Sequence, residues 1–270
     1  PTHSHNSFYK AADLLGIKLV QVPDVHGIVD ITKVKKSITK NTIMLVGVAG
    51  TTPLGLIDPI DNLSDLASDH SLLLHVDASF GGFVIPFLKD LGYSPPVFDF
   101  KLPGVSSITI DSHKMGLAPI PSSCILFRKR SLLKGIKNDI NYLSGGHKSR
   151  STLLGTSPGA SIISLWSILN LNGRNGYVKL INQCMKNTDY FYNELIKIPN
   201  ISVVSKPVLN IIGFKITSSS QTKFIKSIRQ HGWAISVFPT HIRIVIMPHI
   251  KRKHIDSFIK DIKNLVKNSI

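Results

Sequence analysis

Residues 106–116 of the chain read SSITIDSHKMG, and this stretch guides the interpretation of the whole sequence. It begins as a strand in which Ile108 and Ile110 alternate with small polar residues, the period-two pattern of a β-strand. It then ends in the polar run Asp111-Ser112-His113-Lys114. A carboxylate, an imidazole and an ammonium group therefore follow the point where a buried strand is predicted to stop.

Two further apolar runs end in residues that are suited to chemistry. Residues 42–49, TIMLVGVA, lead into Gly50 and Thr51, and residues 72–76, LLLHV, lead into Asp77. Each loop alone is weak evidence, because Gly, Asp and Thr are ordinary turn residues. In open α/β sheets, however, ligands bind at the carboxyl ends of the strands. Three such ends together predict one functional site.

The alternation of Ile- and Val-rich runs with amphipathic segments is the βαβ pattern of a mostly parallel sheet. Strands that are apolar on both faces indicate that helices cover both sides of the sheet. The predicted strands cover residues 17–22, 42–49, 72–76, 107–110 and 124–127. The predicted helices cover residues 7–15, about 31–39 after an Asp30 cap, and about 60–69.

The character of the sequence changes after about Gly159. A long helical region is predicted over residues 160–171 and 176–198, with a break near NGRNG, followed by short strands and two more helices. The chain is therefore predicted to contain a large α/β domain, residues 1–172, and a smaller C-terminal α/β domain, residues 173–270.

Composition excludes several classes of protein. The hydrophobic content of 43% is sufficient for a core and argues against disorder. The longest apolar stretch, residues 71–88, contains His75 and Asp77, so no membrane span or membrane partner is predicted. The first residues lack the pattern of a signal peptide. Two cysteines, Cys124 and Cys184, indicate a reducing cytoplasm and not a disulfide framework.

The formal net charge of +16 has two readings. It is compatible with nucleic-acid binding. The basic residues are nevertheless spread along the chain, and the densest cluster, HIKRKH at residues 249–254, starts a predicted helix. We favour attraction of acidic small molecules and predict no nucleic-acid partner; salt-sensitive DNA binding would support the alternative.

Lys114 and Asp77 have a well-defined joint chemistry. A lysine amine can attack a carbonyl carbon, and a buried aspartate needs a cationic or hydrogen-bonding partner. Pyridoxal phosphate uses both groups, because a lysine holds it as a Schiff base and a carboxylate keeps its pyridine nitrogen protonated. The alternatives are a solvated surface lysine and a salt bridge between loops.

The sequence resembles the group II pyridoxal-phosphate-dependent amino-acid decarboxylases, and among them most closely the archaeal tyrosine/aspartate decarboxylases. The resemblance covers essentially the whole chain, and the spacing of 37 residues between Asp77 and Lys114 makes it specific. It implies a fold-type-I pyridoxal-phosphate enzyme. The segments that carry it are SHNSFYKAADLLGI (4–17), VAGTTPLGLIDPI (48–60), HVDASFGGFVIPF (75–87), SITIDSHKMGLAPIPSSCILF (107–127) and RIVIMPHIKRKHIDSF (243–258).

The resemblance also implies roles for individual residues. Lys114 is expected to form the Schiff base, Asp77 to bind the pyridine nitrogen, and His5 to stack on the cofactor ring, although a histidine before a helix is more often a cap or a surface residue. Other residues are expected near the cofactor, namely His113, Asp111 and Ser112 at the phosphate, Ala78 at the ring face and Thr51 and Thr52 in a lining loop. No metal is predicted.

Substrate contacts are expected from two further places. Arg243 aligns with an arginine that can face the substrate carboxylate; a structural ion pair in the small domain is the alternative. Residues 141–158 are expected to form a mobile loop, and Tyr142 or His147 is a candidate proton donor.

The chain departs from the family pattern in three ways. Ser112 replaces a common proline before His-Lys and is expected to loosen that turn, and Ser157 replaces an arginine in a Gly-Thr-Arg-x-Gly motif. About a hundred residues precede the first matched segment in the family, including a Gly/Ser-rich loop that holds the cofactor phosphate at a helix N-terminus. No such loop precedes His5, so the expectation is a chain with a catalytic lysine and an incomplete phosphate site.

The resemblance implies decarboxylation of an L-amino acid, aspartate to β-alanine or tyrosine to tyramine, by a cytoplasmic homodimer that serves coenzyme A or methanofuran biosynthesis. One alternative is another pyridoxal-phosphate lyase on the same scaffold, similar to sphingosine-phosphate lyase. The other is a non-catalytic binding or assembly module that keeps the fold.

Overall fold

The computed structural model describes residues 1–140, 142, 144, 148–152, 158–217 and 221–267. Among the helices of this described part, none is long and apolar enough to cross a bilayer. The helices are α1 (Ser7–Leu15), α2 (Ile31–Ser37), α3 (Ile60–Asp69), α4 (Ile85–Leu88), α5 (Arg130–Lys134), α6 (Gly159–Leu195), α7 (Gln221–Gln230) and α8 (Arg252–Lys267). The strands are β1 (Asp24–Val25), β2 (Ile28–Val29), β3 (Met44–Val48), β4 (Leu73–Asp77), β5 (Val105–Ile110), β6 (Cys124–Phe127), β7 (Asn138–Ile140), β8 (Lys148–Arg150), β9 (Ile201–Val203), β10 (Ile211–Ile216), β11 (Ser236–Val237) and β12 (Ile242–Val245).

A central sheet with the strand order β3-β4-β5-β6 organises the N-terminal part of the chain. Strands β3, β4 and β5 are parallel, and β6 runs antiparallel to β5 at one edge. Leu74, Val76 and Val105 are completely buried, because helices and loops cover the two faces of the parallel strands. The predicted α/β fold with a mostly parallel sheet is confirmed.

The edge strand β6 differs from the prediction that helices cover both faces of every strand. Ile125 and Leu126 are 52% and 44% exposed, and Cys124 is exposed as well. An apolar run of four residues cannot by itself distinguish a central strand from an edge strand, because burial depends on which elements pack on it.

The strand predicted over residues 17–22 is not formed. Residues 17–21 are exposed and only Val22 is buried, with its carbonyl accepting one hydrogen bond from the Thr2 N–H. A strand needs a neighbour for its backbone groups, and this segment has none in the described structure. The antiparallel pair β1–β2 follows instead, with His26 and Gly27 in its turn at φ 53° and 85°, the positive angles of a two-residue hairpin.

The C-terminal part is built on an antiparallel sheet with the strand order β11-β12-β10-β9. Helices α7, α8 and the C-terminal half of α6 pack on it around a second hydrophobic core. Phe191 contacts both Phe214 and Phe258 there, with ring centroids 6.5 and 5.8 Å apart. The short strands and two helices predicted for this part are present.

Helix α6 connects the two parts of the chain. The predicted break near NGRNG is found at Gly173, whose φ and ψ of 54° and −169° are not helical. Ile181 and Met185 of the same helix pack into the first core, whereas Phe191 packs into the second. The division into residues 1–172 and 173–270 stays a prediction.

Candidate active site

A cavity of about 1110 Å³ lies between the carboxyl ends of β3, β4 and β5 and the C-terminal sheet. Its lining contains both carboxylates and cationic side chains, as a site for a charged ligand requires. The residues from the N-terminal part include His5, Phe8, Gly50, Thr52, Asp77, Ser79, Thr109, Asp111, His113 and Lys114. Those from the C-terminal part include Trp233, Ile235, Arg243, Met247, His249 and His254.

Asp77 is the last residue of β4 and is 8% exposed. Its Oδ1 accepts hydrogen bonds from the Ser79 backbone N–H at 3.1 Å and from the Ser79 Oγ at 2.5 Å. Among the described residues, no donor contacts Oδ2. Because a buried carboxylate is costly unless it is paired, this free oxygen is suited to a cationic ligand in the cavity.

Lys114 lies in the turn that follows β5. Its backbone N–H donates to the Asp111 carbonyl at 3.2 Å, and its Nζ lies 3.0 Å from Asp111 Oδ2. His113 Nε2 lies 3.8 Å from the same oxygen, while His113 Nδ1 contacts the Ser122 carbonyl at 2.6 Å. The polar run after the strand thus forms a charge cluster in which one carboxylate faces an ammonium and an imidazole.

Ser112 is hydrogen-bonded within this turn, and the expectation that it loosens the turn relative to a proline stays a prediction. It is completely buried, its Oγ contacts Ser122 Oγ at 2.5 Å, and its carbonyl accepts from the Ala118 N–H at 2.9 Å. The Tyr177 hydroxyl donates to the Gly116 carbonyl at 2.9 Å. These bonds hold the backbone on both sides of Lys114.

His5 precedes α1 and lines the cavity. Its Nδ1 accepts a hydrogen bond from the Ser7 backbone N–H at 3.2 Å and contacts the Ser7 Oγ at 2.9 Å. The ring therefore contacts the first turn of the helix and faces the cavity at the same time, so the two interpretations of this residue are compatible.

Arg243 reaches the cavity from β12. Its NH1 donates to the Thr52 carbonyl at 2.8 Å, so it contacts the loop after β3 from the other part of the chain. Its buried Nε has no partner, and burial lowers the pKa of the guanidinium. No carboxylate of the described residues pairs with it, so an anionic ligand would supply the missing interaction.

Four of the predicted site residues within the described part of the chain do not line the cavity. Ala78 and Ser112 are completely buried. Thr51 is buried with its Oγ1 accepting from the Leu56 N–H at 3.0 Å, and its neighbour Thr52 lines the cavity instead. Tyr142 is 87% exposed. His147 and Ser157 lie outside the described residues, as does much of the predicted loop 141–158.

The structure also adds residues that the sequence interpretation missed. His75 lies two positions before Asp77, and both of its ring nitrogens contact hydroxyl groups of β5. His249 and His254 line the cavity, although their segment was interpreted only as a basic cluster. The period of two along β4 was the available signal for His75, since it places that side chain on the face of Asp77.

Comparison with known proteins gives one family match. Residues 1–217 match the model of the pyridoxal-dependent decarboxylase conserved domain. An L-aspartate/L-glutamate decarboxylase of Pyrococcus horikoshii is 47% identical over 269 residues, which are 98% of this chain and 69% of that protein. A probable L-tyrosine/L-aspartate decarboxylase of Methanothermobacter thermautotrophicus is 45% identical over 268 residues, which are 98% of this chain and 73% of that protein.

Two solved structures have the same fold. The sphingosine-1-phosphate lyase of Burkholderia pseudomallei superimposes with a TM-score of 0.92 at 30% identity over 99% of this chain. The glutamate decarboxylase of Lactobacillus brevis superimposes with a TM-score of 0.90 at 21% identity over 99% of this chain. The chain spans only 62% and 65% of these two proteins. The predicted fold-type-I architecture is confirmed.

Proposed function

The chain belongs to the pyridoxal-dependent decarboxylase family, and we propose that it binds pyridoxal phosphate and removes the α-carboxylate of an L-amino acid. The observation that carries this proposal is the presence of opposite charges around one cavity. Asp77 lines the same cavity as Lys114 and Arg243, and no donor of the described residues contacts its Oδ2. An unpaired buried carboxylate fits a protonated pyridine nitrogen.

The residues of this chain fit two groups of the cofactor, the aldehyde and the ring nitrogen. Lys114 would hold it covalently through Nζ, and Asp77 would bind its ring nitrogen. His5, from the start of α1, would cover the ring, and His113 and Asp111 would lie on the side of its phosphate. This assignment is supported by the cavity lining, which contains all five side chains.

Pyridoxal phosphate, when bound, supplies an electron sink that accepts the electron pair left by departing carbon dioxide. Asp77 would stabilise the positive charge that this sink requires. A lysine amine attacks a carbonyl carbon through its neutral nitrogen, and Asp111 Oδ2, 3.0 Å from Lys114 Nζ, would hold that side chain in place at the cavity. Trp233 and Ile235 on the opposite wall would reduce the access of water.

Aspartate and tyrosine are the proposed substrates, with β-alanine and tyramine as products. The names of the curated relatives support both. Arg243 would bind a substrate carboxylate, since its buried Nε has no partner and no carboxylate of the described residues pairs with its guanidinium. Tyr142 or His147 would supply the proton to the α-carbon, as the family resemblance implies.

An absorbance titration of the 270-residue chain with pyridoxal phosphate tests the proposal. We expect a visible band in the wild type and in Lys101→Ala, an exposed control, and no band in Lys114→Ala. Release of carbon dioxide from aspartate or tyrosine, with the matching amine, should follow. Uptake of the cofactor without a visible band, or a band that survives in Lys114→Ala, would contradict the role of this lysine.

A second candidate is a lyase that cleaves a carbon–carbon bond of a phosphorylated amino alcohol. The superposition with the sphingosine-1-phosphate lyase favours it. Product analysis distinguishes the two, because this reaction yields an aldehyde and no carbon dioxide. A non-catalytic module would show neither product and no visible band.

Assembly, location and pathway form the finer part of the proposal. We infer a homodimer, a cytoplasmic location and a role in coenzyme A or methanofuran biosynthesis. The similarity to archaeal tyrosine/aspartate decarboxylases supports these assignments, and the mass of the purified protein in solution tests the first of them.

A further inference from the structure

His75 occupies an unusual place in the central sheet. It is 8% exposed, and its ring bridges two hydroxyl groups of the neighbouring strand. Nδ1 contacts Ser107 Oγ at 2.8 Å, and Nε2 contacts Thr109 Oγ1 at 3.1 Å. Both nitrogens of a buried histidine are therefore satisfied by side chains of β5, which is a more specific environment than apolar packing requires.

The register of β4 and β5 directs this bridge towards the cavity. His75 pairs with Ser107, and Asp77 pairs with Thr109. Residues two apart along a strand share a face, so these four side chains lie on one face of the sheet. Thr109 lines the cavity together with Asp77, whereas His75 and Ser107 lie behind them.

The protonation state of His75 determines what this bridge can do. Burial lowers its pKa, and the nearby Asp77 only partly opposes that shift. A neutral imidazole has one donor and one acceptor nitrogen. The contact at Nε2 therefore restricts the Thr109 hydroxyl to one hydrogen-bonding direction, and a neutral His75 adds no positive charge beside Asp77.

We propose that His75 is a positioning residue that holds the Thr109 hydroxyl beside Asp77, so that this hydroxyl and the free Asp77 oxygen together form the contact for the ring-nitrogen end of pyridoxal phosphate. The inference rests on the proposed function and adds two residues, His75 and Thr109, to the cofactor site. Phe8 supports the arrangement, since its ring lies 6.0 Å from the His75 ring and also lines the cavity.

A merely structural histidine would behave differently. Its contacts with Ser107 and Thr109 would then be equivalent, and losing either would reduce stability without a selective effect on the cofactor. A positioning histidine instead affects cofactor binding through its Nε2 contact alone, because Thr109 lines the cavity and Ser107 does not.

Two matched pairs of variants separate these cases. The amide of glutamine can occupy the place of the imidazole Nε2, and the amide of asparagine that of Nδ1. His75→Gln therefore keeps the contact with Thr109, whereas His75→Asn keeps the contact with Ser107. Thr109→Val and Ser107→Ala remove one hydroxyl each, and Thr109→Ser restores the first.

The measurement is the dissociation constant of pyridoxal phosphate for each variant of the 270-residue chain, from absorbance titration, with thermal unfolding recorded beside it. We expect His75→Asn and Thr109→Val to weaken binding about three- to tenfold, the range of one neutral hydrogen bond. His75→Gln, Ser107→Ala and Thr109→Ser should stay within about twofold of the wild type. The double variant His75→Asn/Thr109→Val should bind like either single variant.

Equal losses in His75→Gln and His75→Asn, or wild-type binding in Thr109→Val, would overturn the inference and leave the proposed function intact. A wild-type chain that takes up no pyridoxal phosphate would overturn both. Nitrogen NMR of the His75 ring in the cofactor-free chain adds a separate readout: Thr109→Val should shift mainly Nε2 and Ser107→Ala mainly Nδ1.

Discussion

Replacing Asp58 by asparagine should destabilise the chain strongly. This carboxylate is completely buried next to the loop that carries Thr52. Its Oδ1 accepts from the Val29 N–H at 2.8 Å, and its Oδ2 accepts from the Val48 N–H at 2.8 Å and contacts His3 Nε2 at 3.2 Å. It thereby connects the β1–β2 hairpin to the end of β3.

The expected loss in the free energy of unfolding follows from these contacts of Asp58. An asparagine keeps one acceptor oxygen and turns an amide NH₂ towards the other backbone N–H, whichever way the amide is oriented. One charge-assisted hydrogen bond is lost, and one buried donor is left without a partner. With about 1.5–3 kcal/mol for such a bond and about 1–3 kcal/mol for the unsatisfied donor, the free energy of unfolding should fall by about 3–5 kcal/mol.

Urea unfolding followed by circular dichroism measures this change, and hydrogen exchange at the amides of Val29 and Val48 localises it. Asp65→Asn is the matched control, because Asp65 lies on the exposed face of α3 and its replacement should change stability by less than about 0.5 kcal/mol. A loss below about 1 kcal/mol in Asp58→Asn would refute the reasoning, as would unchanged protection of both amides.

Three further predictions concern packing, thiol reactivity and pH. Gly81→Ala should lower the free energy of unfolding by about 1–3 kcal/mol, because its Cβ would lie 2.2 Å from the Ala49 carbonyl oxygen; a urea midpoint equal to that of the wild type would contradict this. Burial raises the pKa of Cys184 to about 12, whereas Cys124 is exposed, so a thiol reagent at pH 8 should label one cysteine in the folded chain and none in Cys124→Ser. Burial lowers the pKa of His75 below its ordinary value of 6.5. As the pH falls, the His75 ring therefore binds a proton more readily in the unfolded chain than in the folded one. The free energy of unfolding should consequently decrease from about pH 7 towards pH 5. His75→Gln should show a smaller decrease in urea midpoint over that range, and equal decreases would count against the buried neutral imidazole.

Much of the fold was determined by local sequence. The runs before Asp77 and Asp111 form β4 and β5, as short apolar segments bounded by polar turns predict. Asp30 accepts from the Lys33 N–H at 3.2 Å, as its predicted cap of α2 requires. The same local pattern placed Lys114 and Asp77 at neighbouring strand ends.

Tertiary structure alone decided the rest, because it depends on contacts between segments that are distant in the chain. Residues 17–22 have the apolar composition of a strand, but no strand in the described part of the chain pairs with them. Arg243 reaches the Thr52 carbonyl only because the C-terminal sheet packs against the central one. His75 acquires its two hydroxyl partners through the register of β4 with β5, and a shift by one residue would point these side chains to the opposite face. Sequence periodicity indicates which face a residue occupies, whereas the register between strands determines what it contacts there.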